Sequence, residues 1–134
     1  MIKQLAHVCI HTTDLEATER FYVGILGLER KFSFTKNGSL HGFYIHLGAD
    51  TFIEVFRGER SEEGSIKHLA IEVDDIDEMI RTLRENGCKA TDKKVGADGS
   101  WQCWTEDPNG VRIEFHHYTE NSRQRIGGTC EANW

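Results

Sequence analysis

Two glutamates sit where a carboxylate is expensive. Glu54 lies in the run Thr51-Phe52-Ile53-Glu54-Val55-Phe56, and Glu114 in Gly110-Val111-Arg112-Ile113-Glu114-Phe115-His116-His117. Both runs are rich in β-branched and aromatic residues, so strand pairing half-buries the acid and its charge calls for a cationic partner. Two imidazoles occupy comparable runs: His7 in Leu5-Ala6-His7-Val8-Cys9-Ile10, and His68 in Ile66-Lys67-His68-Leu69-Ala70-Ile71. Two imidazole nitrogens and two carboxylates, without a thiolate, are a donor set for one divalent ion such as Ni, Co, Fe, Mn or Zn, with coordination positions left for water or substrate.

Such side chains can meet only if strands carry them and turn them the same way. A shift of 61 residues lays His7 on His68, Val8 on Leu69, Ile10 on Ile71, Asp14 on Asp75 and the turn Asn37-Gly38-Ser39 on Asp98-Gly99-Ser100. With a one-residue slip Glu54 falls on Glu114, so the chain reads as an internal duplication. In the first copy, a strand over Leu5–His11 leads to an Asp14 N-cap. Leu15, Thr18, Phe21, Tyr22 and Ile25 then fall at helical spacing up to Gly27. Strands over 28–35 and 40–47 join at Asn37-Gly38, and a third runs over 51–56. The second copy predicts a strand over 65–73, a helix over 75–86, strands near 90–95 and 100–105, and a last strand over 111–118 after the turn Asp107-Pro108-Asn109-Gly110. The expectation is an α+β fold: one domain, 1–118, made of two βαβββ modules, 1–57 and 65–118, with a C-terminal tail or flap over 119–134.

Strand residues alternate between faces. Ala6, Val8 and Ile10 face the helix while His7, Cys9 and His11 turn away, and Glu54 turns away with Phe52 and Phe56. His68 and Glu114 follow the same parity, so all four candidate ligands lie on the faces opposite the helices. Arg112 and His116 share the face of Glu114; Tyr44 and His46 lie opposite Phe43, Ile45 and Leu47. With His11, these are candidates for touching a substrate. Trp101 and Trp104 are expected to supply buried area, and Glu16, Glu19, Arg20 and Glu29 a solvated helix face.

A net charge of −6 with both signs interspersed leaves no footprint for nucleic acid or an anionic membrane, so a small molecule is the expected partner. The four cysteines, Cys9, Cys88, Cys103 and Cys130, form no C-x-x-C pair and read as reduced thiols. No apolar run is long enough for a membrane span or a signal peptide, and a cytoplasmic location is expected.

Through His7, "DLEATERFYVGILGLE", "TFIEVF", "KHLAIEVDD" and "TEDPNGVRIEF", the chain resembles the vicinal-oxygen-chelate superfamily, and within it glyoxalase I (lactoylglutathione lyase) of the bacterial type. The resemblance implies paired βαβββ modules whose curved sheets surround a metal, with ligands His7, Glu54, His68 and Glu114. It also implies a homodimer with sites at the subunit contact, Glu114 as the proton-transferring base and Glu54 as its counterpart. Where the resemblance would place an arginine and an asparagine for glutathione, this chain has His11 and Gly58. The rival expectations are an iron-dependent dioxygenase using the same cage and a non-catalytic binding protein.

Overall fold

The computed structural model describes residues 5, 7–49, 51–59 and 68–127. The expected start of the fifth strand at 65–67 and the tail residues 128–134 lie outside them. The chain divides into two compact units, Met1–Gly64 and Ser65–Trp134. In the first, β1 (His7–Thr12), α1 (Leu15–Glu19), β2 (Glu29–Lys36), β3 (Ser39–Gly48) and β4 (Thr51–Arg57) build a sheet of order β1-β4-β3-β2. In the second, β5 (Leu69–Glu72), α2 (Ile76–Glu85), β6 (Lys94–Val95), β7 (Trp101–Glu106) and β8 (Arg112–His117) build a sheet of order β5-β8-β7-β6. Each sheet is mixed: its first strand runs parallel to its last, and the other pairings are antiparallel. The repeat in the sequence is therefore a repeat in strand order.

Local chemistry repeats with it. Asp14 accepts from the Ala17 amide at 3.0 Å and Asp75 from the Glu78 amide at 2.9 Å, so equivalent aspartates cap α1 and α2. The equivalent turn glycines Gly38 and Gly99 hold φ of 76° and 81°, a region that side chains resist. Each helix covers one face of its own sheet. Phe21, Tyr22, Phe43, Ile45, Ile53 and Val55 form the buried core of the first unit, and Ile76, Leu83, Cys103, Ile113 and Phe115 that of the second.

Three details depart from the sequence reading. The first helix does not continue as an α-helix to Gly27; from Arg20 to Ile25 it widens into a π-helical turn. The wider turn reduces the angle between successive residues, which lets adjacent Phe21 and Tyr22, packed edge to face at 5.0 Å, both be buried. The expected strand over 90–95 pairs only at Lys94 and Val95. Upstream, Thr91 engages Trp104 through its backbone N–H and its hydroxyl, and Lys89 gives its carbonyl to the Thr105 hydroxyl, so side chains replace the ladder. Residues 119–127 are tied to the second unit: Ser122 is fully buried, its hydroxyl accepts from Ser100 at 3.0 Å, and a short helix, α3 (Arg123–Ile126), follows.

Candidate metal centre

In the first unit, β1 and β4 pair so that His7 is opposite Phe52, Cys9 opposite Glu54 and His11 opposite Phe56. Directly paired residues share a sheet face, and β3 adds Tyr44 opposite Glu54 and His46 opposite Phe52. His7 Nε2 stands 3.5 Å from Glu54 Oε2, while the Tyr44 hydroxyl donates to Glu54 Oε1 at 2.8 Å. One carboxylate oxygen is thus tied to the sheet and the other faces the imidazole. His46 gives its Nε2 to the carbonyl of Ala49 at 2.7 Å, at the β3–β4 turn, and the His11 ring lies beside Gly58. Around Tyr44 the face is aromatic: Phe32 stacks on it at 4.5 Å, Phe34 and Phe52 lie within 5.9 Å, and Phe56 adjoins Phe34 at 4.9 Å.

The second unit repeats the pair with different neighbours. His68 Nε2 is 3.4 Å from Glu114 Oε2. Glu114 is buried, and the same oxygen lies 2.9 Å from Nε2 of His116, itself only 9% exposed. Trp104, opposite Glu114 in the β7–β8 ladder, sets its ring edge-on to His68 at 5.0 Å and carries the Arg112 guanidinium 4.7 Å above it. Trp104 is therefore not the buried filler expected from the sequence. Glu19 departs as well, receiving a two-pronged contact from Arg30 at 2.9 and 3.1 Å rather than standing in solvent.

The donor set can be tested against the distances. Two donors about 2.1 Å from one cation, at the 90–109° of octahedral or tetrahedral coordination, stand roughly 3.0–3.4 Å apart. The two histidine–glutamate pairs, at 3.5 and 3.4 Å, fit as pairs of neighbouring ligands. Each unit offers two such donors; among the described residues no group of three His, Cys, Asp or Glu is placed to hold an ion. Burial, then the hydrogen bond and the negative charge of Glu54, push the Cys9 thiol up to about 11. Donation to Glu54, followed by burial, likewise raises the Tyr44 hydroxyl, which stays protonated and available as a donor.

Two features escaped the sequence reading. Asp98, in the turn before β7, lies 3.7 Å from His116 Nδ1 through its Oδ2. The duplication carried a signal for it, since a carboxylate stands there where the first copy has the amide Asn37. The aromatic face built by Phe32 and Phe34 depends on two register shifts in β2, between Arg30 and Phe32 and between Phe34 and Thr35. Strict alternation does not reveal such irregularities.

Two mixed sheets of this strand order, each carrying a His–Glu pair away from its helix, define a doubled βαβββ protein. Residues 4–115 match the family model described as the Glyoxalase/Bleomycin resistance protein/Dioxygenase superfamily, and the chain belongs to that superfamily. Protein YwbC of Bacillus subtilis (strain 168) is 30% identical over 86% of this chain and 98% of its own length. Mitochondrial methylmalonyl-CoA epimerase of Bos taurus is 29% identical over 84% of this chain and 73% of its own. A solved glyoxalase family protein from Enterococcus faecalis superposes with a TM-score of 0.71 at 28% identity, over 85% of this chain and 97% of that one. Members of the superfamily typically bind a divalent metal, are often enzymes acting on small molecules, and often form dimers. No described helix is long and apolar enough to cross a membrane.

Proposed function

We propose that this protein is a metal-dependent lyase or isomerase that moves a proton at a carbon next to two oxygens of a small substrate. His7, Glu54, His68 and Glu114 would hold the ion, two donors from each unit. The observation that carries the reading is the repetition of the His–Glu pair at 3.5 and 3.4 Å in two units that are otherwise lined differently. A divalent cation held there supplies Lewis acidity toward the substrate oxygens, lowering the cost of removing the neighbouring proton. Glu114 takes and returns that proton through its carboxylate. Its burial limits competing water, and the sheet and His116 Nε2, 2.9 Å away, restrict its direction. Glu54, held by Tyr44, stands as its counterpart.

The glyoxalase I form of this reading lacks support at the positions expected to grip glutathione, His11 and Gly58. The aromatic face of Phe32, Phe34, Tyr44 and Phe52 instead suits a substrate with an apolar portion beside its chelating oxygens. The relative named an epimerase favours an isomerase within the same chemistry.

The test is proton exchange. Protein loaded with Ni2+ or Co2+ is incubated without oxygen in D2O with a 2-substituted malonyl thioester or a methylglyoxal hemithioacetal, and deuterium entry at the acidic carbon is followed by NMR. Exchange that stops in Glu114→Gln is expected. Oxygen consumption with iron and no exchange would move the reading to a dioxygenase; intact ligand affinity in Glu114→Gln, together with no turnover of any tested substrate by the wild type, would move it to a binding protein.

A further inference from the structure

We infer that His116 is the positioning residue of Glu114, and that the segment after β8 acts on the site through it. The inference rests on the reading of Glu114 as a cation ligand.

His116 Nε2 stands 2.9 Å from Glu114 Oε2, close enough for the ring and the carboxylate to restrain each other. Glu114 Oε2 is flanked by two imidazoles, His116 at 2.9 Å and His68 at 3.4 Å, so restraining it from the His116 side limits how it can address a cation. The opposite nitrogen makes this arrangement unusual. His116 Nδ1 is buried and has no hydrogen-bond partner among the described residues; the nearest acid, Asp98 Oδ2, is 3.7 Å away. An orphaned buried nitrogen is unfavourable, and the ring orientation that leaves Nδ1 so placed is the one that brings Nε2 to 2.9 Å from Glu114 Oε2.

Asp98 is in turn held by the segment sequence reasoning left as a tail. Gln124 donates its side-chain N–H to Asp98 Oδ2, the Ser100 amide donates to Oδ1 at 3.1 Å, and the Arg123 amide donates to the Asp98 carbonyl at 2.8 Å. Tyr118 packs edge-on against the imidazole with ring centres 5.8 Å apart. Burial by itself raises the Asp98 carboxyl, yet the Gln124 and Ser100 hydrogen bonds outweigh it and the net shift is downward. A fixed carboxylate therefore stands behind the imidazole, and contacts run from Gln124 through Asp98 and His116 to Glu114. Among the described residues of the first unit there is no counterpart of this kind: there a phenol from β3, Tyr44, holds Glu54.

Outer residues that orient ligands typically change metal affinity by about 10–100-fold when removed. The experiment compares wild type, His116→Leu, His116→Gln and Gln124→Ala by Co2+ affinity (competition with a chromophoric chelator), the visible Co2+ absorption and the urea midpoint. His116→Leu should bind Co2+ about 10–100-fold more weakly with an altered band. His116→Gln, whose amide N–H can reach Glu114, should restore most of the affinity, and Gln124→Ala should lose a smaller part while keeping the wild-type midpoint. Wild-type affinity and spectrum in His116→Leu, or no difference between Leu and Gln, would overturn the inference. If wild type itself binds Co2+ no better than His68→Ala, the metal reading fails instead. The Glu114 contact is then judged in metal-free protein by 15N NMR, where an Nε2–H signal of His116 that shifts in Glu114→Gln supports it and its absence sinks it.

Discussion

Tyr44→Phe removes one oxygen atom and tests whether Glu54 is preorganised. The phenol donates to Glu54 Oε1 at 2.8 Å, and this leaves Oε2 facing His7. Hydrogen bonds to charged groups contribute about 1.5–3 kcal/mol. The Glu54 side chain is 16% exposed and Tyr44 half-buried, so water partly replaces the lost donor and the lower end, about 1.5 kcal/mol, applies. Where that bond serves to hold Oε2 in place, its loss weakens ion binding about tenfold. Stability should change little, because the phenylalanine ring keeps its contacts with Phe32, Phe34 and Phe52. The assay is Ni2+ or Co2+ binding by competition with a chromophoric chelator, alongside urea unfolding. An unchanged affinity in Tyr44→Phe, with a strong loss in Glu54→Gln, would refute the claim that the phenol orients the carboxylate.

Two further outcomes follow from the same pairs of side chains and caps. If ions are shared between copies, as the frequent dimers of the superfamily favour, mixing His7→Ala with His68→Ala and allowing subunits to exchange regenerates one intact site per mixed dimer. Metal content recovered in the mixture measures this, and no recovery assigns the four ligands to one chain. The Asp75 carboxyl is lowered below 3.8, first by the Glu78 backbone N–H it caps. A depressed acid stabilises the fold fully above its unfolded value, and this contribution is lost as pH falls through the lower folded value. Asp75→Asn keeps the cap but not the charge, so its urea midpoint should lie below wild type at pH 6 and converge with it below pH 3.8.

The strand alternation that brings His7 onto the face of Glu54, and His68 onto that of Glu114, was legible because a strand's period of two makes the face a matter of counting. The caps at Asp14 and Asp75 and the turns at Gly38 and Gly99 were legible for a similar reason: each is a local solution written in a few adjacent residues. What escaped depends on partners distant in sequence or on broken periodicity. Thr91 shortens β6 by bonding to Trp104, thirteen positions away. Phe32 and Phe34 reach their aromatic neighbours across register shifts in β2. Asp98 gains meaning only through Gln124, from a stretch with no periodicity of its own. Trp101 and Trp104 sit three apart in one strand and so point to opposite faces, which counting could have shown had burial not been assumed for both.

A duplicated unit starts with two equal halves, and equal halves would give their two glutamates the same task. Moving a proton to and from a carbon beside chelated oxygens needs one carboxylate poised against the substrate and another that holds its place. The sheets supply the same strand order for both: each acid lies on the strand that closes its module, paired in parallel with the strand at or just after the histidine. The difference comes from what reaches that oxygen pair. In the first unit a phenol grips one oxygen and leaves the other to the imidazole. In the second a buried imidazole and the candidate ligand histidine address the same oxygen, and the carboxylate is the more enclosed of the two, its side chain 10% exposed against 16%. Enclosure strengthens every electrostatic contact that carboxylate makes. These differences are the ground on which we propose proton transfer for Glu114 and the holding role for Glu54: the fold repeats, and the donors do not.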